Sequence, residues 1–223
     1  KLVVKTLGRI LSLEALFMIL PLIISRIYHE SIRNTLSFGI VVVALVIIGI
    51  ISIPIKIDDE SFRVKDGFVI VALSWIFMSI FGALPFVISG EIPSFVDAVF
   101  ETASGFTTTG ASILTDVEKL SHSMVFWRSF THFIGGMGIL VFALAVLPKT
   151  KGAVNVMRAE VPGPVFGKLV SKLHITAKML YEIYIVMTVA LIIILMIAGM
   201  DIFDDALHAF GTAGTGGFSN RGL

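Results

Sequence analysis

The chain has 223 residues, of which 56% are hydrophobic and only 15% charged, against about 25% charged in an ordinary soluble domain; its mean hydropathy is +0.97. A water-soluble fold of this length needs more polar surface, and a net charge of +1, with no basic stretch interleaved with aromatics, excludes a nucleic-acid track. Cysteine is absent, which excludes disulfides, zinc thiolate sites and cysteine nucleophiles.

The composition therefore predicts an all-α polytopic membrane protein. Apolar runs long enough to cross a bilayer, which takes about 20 residues, recur along the chain. The first covers residues 7–28 and carries Glu14 and Pro21. Basic residues precede it as in a signal peptide, but it is too long and lacks a small-x-small cleavage site, so it reads as a retained anchor. The second covers 36–55 and the third 67–89. Next comes a half-length amphipathic segment, 91–105, with Glu91 and Asp97 near its start, followed by Phe106-Thr107-Thr108-Thr109-Gly110-Ala111-Ser112. A fourth span is expected over 124–147. The basic stretch from Lys149 to Lys178, with Pro162, Gly163 and Pro164, reads as a polar linker plus an interfacial helix, and could dock a cytosolic regulator. A fifth span covers 175–200. A second half-length segment, 201–211, again acidic at its start, leads into Thr212-Ala213-Gly214-Thr215-Gly216-Gly217-Phe218-Ser219.

Lysine and arginine orient these spans. With the N-terminus in the cytoplasm, Lys1, Lys5, Arg9, Lys56, Arg63, Lys65 and the basic linker lie inside; Arg26, Arg33, Lys119 and Arg221 lie outside, as the positive-inside rule requires. Both half-length segments then follow a span that ends outside, and both would dip inward from that face. Acidic residues suit the positive end of each short helix.

A constant offset pairs Asp97 with Asp204, Thr108 with Thr215, Gly110 with Gly217 and Ser112 with Ser219. Irregular backbone is tolerated at membrane depth only when buried in protein or lining water. Glycine admits positive φ, threonine adds a hydroxyl acceptor beside its carbonyl, and rings of carbonyls can replace the hydration shell of a monovalent cation. The preceding half-helix would aim its negative C-terminal end at the same point. A Gly/Thr/Ser stretch between helices is more often an ordinary loop; two copies in matching topological positions favour a cation filter. Neither copy has the Gly-Lys-Ser/Thr ending of a phosphate-binding loop.

Residues 100–111, Phe-Glu-Thr-Ala-Ser-Gly-Phe-Thr-Thr-Thr-Gly-Ala, resemble the first pore loop of the Trk/Ktr/HKT superfamily of potassium transporters. His132-Phe133-Ile134-Gly135-Gly136-Met137-Gly138-Ile139 resembles the glycine-rich stretch of its following inner helix. Arg158-Ala159-Glu160-Val161-Pro162-Gly163-Pro164 is similar to the linker into its second repeat, and residues 213–219 match its second pore loop. The resemblance covers essentially the whole chain, and the extra first pair of spans is similar to the TrkH branch. It implies helix–pore-loop–helix repeats, potassium-channel-like, four in all around one pathway. The chain would divide into an N-terminal helix pair (1–66), a first repeat (67–150), a cytoplasmic linker (151–173) and an incomplete second repeat (174–223), so that a fragment of a longer protein is expected. By position Gly110 and Gly217 would be filter glycines. Thr107, Thr108, Thr109, Gly214, Thr215 and Gly216 would offer carbonyls to potassium.

The resemblance further implies potassium uptake across a bacterial cytoplasmic membrane, a homodimer and a cytosolic nucleotide-binding regulatory subunit. Potassium would be the transported substrate, with no cofactor and no nucleic-acid partner. An accessory subunit without its own pathway is the alternative; an intramembrane enzyme is the weaker one, since no nucleophile and base share a depth. Arg128, near the outer end of the fourth span, reads as snorkelling or paired with Glu101. Gly135, Gly136 and Gly138 read as close helix packing. His122, His132, His174 and His208 are too dispersed for a metal site. Glu14 has no evident partner and is placed near the membrane interface.

Overall fold

The computed structural model describes residues 1–55, 64–138 and 173–220. Helix is the only regular structure among them: α1 (Leu2–Ile27), α2 (Ile32–Ser52), α3 (Val64–Ser89), a short α4 (Phe95–Phe106), a 3-10 turn (Val117–Lys119), α5 (His122–Gly136), α6 (Leu173–Ile197) and a second short helix, α7 (Ile202–Ala213). Four of these, α1, α2, α3 and α6, are long and apolar enough to cross a membrane. The far part of the expected fourth span, from 139 on, the whole linker motif at 158–164 and the rest of the linker from 151 to 172 lie outside the described residues.

The long helices start earlier than the apolar runs suggest, because hydropathy marks contact with lipid rather than the end of the backbone ladder, whereas α4 starts at 95 and α7 at 202, after the expected 91 and 201. In α1 the first turns carry Lys5 and Arg9. In α2 the start is set by Ser31, whose hydroxyl accepts from the Asn34 N–H at 3.3 Å. The short helices are capped alike: the Asp97 N–H donates to Ser94 Oγ, and the Phe203 N–H to Asp201.

Helices α1 and α2 form a close antiparallel pair. A Cβ on Gly8 would overlap the Ser52 side chain and one on Gly49 the Ser12 hydroxyl, so small residues let the backbones approach. Buried Ser25 and Thr35 share a hydrogen bond of 2.8 Å near the α1–α2 turn, and Lys5 Nζ donates to the Ile55 carbonyl at the opposite end. Helices α3, α4 and α5 pack beside this pair. Trp127 of α5 is fully buried, edge-on to Phe38 of α2 and Phe106 of α4, and its indole N–H donates to the Gly82 carbonyl of α3 at 2.9 Å. One side chain thus joins four helices at the base of α4.

The outward-facing surface is apolar, with Leu16, Val43, Ile47 and Ile50 all exposed. Only 6% of the apolar stretch of α6 is buried, against 39% in each of α1, α2 and α3. Helix α6 is held near its middle, where the Tyr184 hydroxyl donates to the Phe133 carbonyl of α5.

Candidate functional site

Helix α4 runs from 95 to 106 and α7 from 202 to 213, the same length displaced by 107 residues. The displacement persists bond for bond through the turn that ends each. After α4, the N–H groups of Thr107, Thr108 and Thr109 donate to the carbonyls of Ala103, Gly105 and Ser104 at 2.9, 3.0 and 2.9 Å. After α7, those of Gly214, Thr215 and Gly216 donate to Phe210, Thr212 and Gly211 at 3.0, 3.0 and 3.1 Å. Each is a Schellman closure, with a residue in the left-handed region just past the cap. Glycine normally fills that place. Here it is threonine twice, Thr108 and Thr215, each at φ 54°. A β-branched residue in this region is strained. Two residues on, Gly110 (φ 74°) and Gly217 (φ 81°) again take positive φ. The repeat read from four residue identities is therefore a repeat of backbone conformation.

The two loops touch. A Cβ on Gly110 would overlap the Gly216 carbonyl oxygen. Behind them α5 supplies a glycine-rich backing: Gly135 lies on the Phe106 carbonyl, Gly136 against Gly214, and Gly214 against the His132 carbonyl. Close packing is what these glycines do. Gly138, at φ 58°, lies just beyond the end of α5. His132 is fully buried with its ring over Phe218, 4.0 Å between centroids, and its imidazole edge fills the place a Cβ on Gly216 would need. Thr107, Thr109, Thr215 and Gly217 face outward from this backing, exposed in the described protein. The Thr107 hydroxyl donates to the Ala103 carbonyl and pairs with Thr109 Oγ1 at 2.8 Å.

A buried ion pair lies beside the loops. Arg128 and Glu101 are 3% and 0% exposed, with Nε to Oε1 at 2.6 Å. Pairing, rather than snorkelling, is the role of Arg128. Glu101 also accepts from the Ser112 hydroxyl at 2.8 Å and the Ile113 N–H at 3.1 Å. Arg128 reaches in the other direction: Nη1 donates to the Ser219 carbonyl at 2.9 Å, and its guanidinium carbon sits 3.5 Å from the centre of the Phe218 ring. The roles of Phe218 and Ser219 were not legible in the sequence. The pairing of Ser112 with Ser219 across the offset was the available signal.

The connecting segments at the start of α4 and α5 are tied by carboxylates. Glu91 accepts from the Asn34 amide at 2.8 Å and the Ser121 N–H at 2.9 Å. Glu30 accepts from the N–H and hydroxyl of Ser123 at 2.9 and 2.5 Å. Tyr28 stacks on His122 at 4.1 Å; partial burial, then the carboxylates of Asp201 and Asp204, push its phenol above the ordinary value. Among the described residues no group of three or more His, Asp or Glu is placed to hold a metal. Glu14 differs from its expected place near the interface. It sits halfway along α1, 1% exposed, beside Gly82 and close to Thr102 and Phe106, and neither carboxyl oxygen has a hydrogen-bond partner among the described residues.

Comparison with known proteins identifies the family. The sequence matches the TrkH family, described as cation transport protein, over residues 33–221. It is 36% identical to the Trk system potassium uptake protein TrkH of Halomonas elongata, over 99% of this chain and 46% of that protein. It is 37% identical to the protein of the same name from Escherichia coli K12, over 98% of this chain and 46% of that protein. The crystal structure of the potassium transporter TrkH from Vibrio parahaemolyticus superposes with a TM-score of 0.81 at 30% identity, covering 98% of this chain and 44% of that one. The chain spans about half the length of the curated relatives it matches. With the family match extending over most of its residues, and with all-helical membrane architecture to suit it, the chain belongs to the TrkH family of cation transport proteins.

Proposed function

We propose that this chain contributes two of the loops lining a potassium-uptake pathway across the cytoplasmic membrane, with its N-terminus in the cytoplasm. The observation that carries this reading is the duplicated turn. The same three backbone hydrogen bonds, the same left-handed threonine and the same positive-φ glycine recur 107 residues apart, at the ends of two equally long short helices. Chance loops have no reason to repeat a strained conformation. Carbonyls of Thr107, Thr108, Thr109 and Gly110, with those of Gly214, Thr215, Gly216 and Gly217, would take the place of water around potassium. The C-terminal ends of α4 and α7 would add their negative dipole ends. The names of the relatives, all potassium uptake proteins, support potassium as the substrate.

In this reading residues 1–66 form an accessory helix pair, 67–150 a first repeat, 151–173 a cytoplasmic linker, and 174–223 the outer helix and pore loop of a second repeat. The working protein is a homodimer gated by a cytosolic nucleotide-binding subunit. It carries out transport rather than chemical conversion.

The test is uptake of radioactive rubidium into proteoliposomes holding the full-length protein, with sodium as competitor. Wild type is expected to take up rubidium and resist sodium. Gly217→Ser is expected to lose part of that discrimination, because a side chain at φ 81° strains the loop although no described atom lies within 4 Å of its Cβ. Folded protein that moves no rubidium, with or without the cytosolic partner, would defeat the reading in favour of an accessory subunit.

A further inference from the structure

The two loops end differently although their backbones match. Ser112 and Ser219 are equivalent under the 107-residue offset, and both are tied down at one buried ion pair. Ser112 gives its hydroxyl to Glu101; Ser219 gives its carbonyl to Arg128. The second repeat cannot copy the first attachment. Its counterpart of Glu101 under the same offset is His208, which has no carboxylate to accept a serine hydroxyl and a backbone N–H together. Arg128 takes over instead, reaching across from α5. Its planar fork can serve two acceptors in different directions at once, which a lysine ammonium on a flexible stem does poorly. Phe218 closes the assembly, with its ring against both the guanidinium and His132.

We propose that the Arg128–Glu101 pair is a positioning element that holds the two loops at a fixed separation, and that this separation sets ion discrimination. The proposal rests on the filter reading above. Discrimination by carbonyls depends on how many reach the ion and at what distance, and two loops meeting at Gly110 and Gly216 share one spacing. A tie at the downstream end of both removes their freedom to slide or part. Neither residue of the pair needs to touch the ion.

The experiment measures the rubidium-to-sodium uptake ratio of the full-length protein in proteoliposomes, at equal amounts of correctly assembled protein. Variants are Arg128→Lys, Arg128→Gln and Glu101→Gln. Arg128→Lys keeps the charge and most of the volume, and is the decisive variant: it can hold Glu101 but releases Ser219. It is expected to assemble and still transport, with the ratio lowered. Arg128→Gln, where it assembles, is expected to lower the ratio roughly tenfold or more, the effect of losing a charge-assisted hydrogen bond. Glu101→Gln, which leaves one acceptor oxygen where Arg128, Ser112 and Ile113 now share two and so loosens the first loop, is expected to lower it as well. A purely structural pair would reduce the amount of assembled protein and leave the ratio alone. Arg128→Lys with the wild-type ratio overturns the proposal, whatever the other two do. Wild type that does not prefer rubidium removes the filter reading itself, a result separate from any change among the variants.

Discussion

Gly110 of the first loop lies against the carbonyl oxygen of Gly216 in the second, with no room for a Cβ between them. The matching glycine of the second loop, Gly217, has no described atom within 4 Å of where its Cβ would stand. Equivalent in sequence and in φ, the two are unequal in packing.

Gly110→Ala and Gly217→Ala should therefore separate. Both carry the backbone cost of a side chain at positive φ, about 1 kcal/mol. Only Gly110→Ala also drives a methyl group into a backbone carbonyl that cannot rotate away, so it should be less stable than Gly217→Ala by roughly a further 1–3 kcal/mol. Thermal melting of the two purified variants in one detergent checks this. Equal melting temperatures would mean the loops are farther apart than described.

The left-handed threonines give a prediction of opposite sign. Thr108 and Thr215 occupy the position of a Schellman closure that glycine fits best. Thr108→Gly and Thr215→Gly should each stabilise the protein, by about 1 kcal/mol, and raise its melting temperature. Retention of a strained residue twice fits a role for threonine in the loop itself. Transport selectivity is then expected to fall in the same variants whose stability rises. A variant that loses stability would show that the threonine side chains contribute more than their strain costs.

Much of this was open to a reader of the sequence, and the rest was hidden for identifiable reasons. The apolar runs located α1, α2, α3 and α6, because a bilayer imposes a minimum length on each. The loops at 107–110 and 214–217 stood out because few residues other than glycine and threonine suit irregular backbone there. The Arg128–Glu101 pair was within reach, two opposite charges in an apolar setting. Its extension to Ser219 was not, since the group that accepts is a backbone carbonyl, which no residue letter reports. The tie between Glu30 and Ser123 spans 93 positions, with nothing local to announce it. The early start of α2 after Ser31 is legible from the capping rule, but not from hydropathy, which rises only where the apolar run begins.

Glu14 offers a stability test that does not depend on transport. Its carboxyl is buried beside α3 and α4 with no hydrogen-bond partner among the described residues, an arrangement that costs free energy however the group is protonated. Glu14→Met keeps the length of the side chain and removes the polar atoms. It should raise the melting temperature of the full-length protein, corresponding to about 1–2 kcal/mol. Destabilisation would show instead that the carboxyl meets a partner in the full-length protein.

The start of α5 depends on a side chain 93 positions earlier in the sequence. The N–H and hydroxyl of Ser123 both donate to Glu30, so one carboxylate serves as a cap for a helix that begins more than ninety residues later. Ser121, the residue at the cap position itself, makes no capping bond with its side chain; Glu30 is not duplicated locally. Glu30→Ala should then cost about 2 kcal/mol, the range for charge-assisted hydrogen bonds lost from a helix N-terminus. Glu30→Gln, which keeps one acceptor oxygen, should cost less than half as much. The weakening should also be local. Hydrogen exchange of the Ser123, Met124 and Val125 amides is expected to quicken in Glu30→Ala, while the amides of α2 around Leu45 stay as protected as in wild type. Uniform loss of protection would mean that Glu30 supports the whole bundle rather than the start of α5.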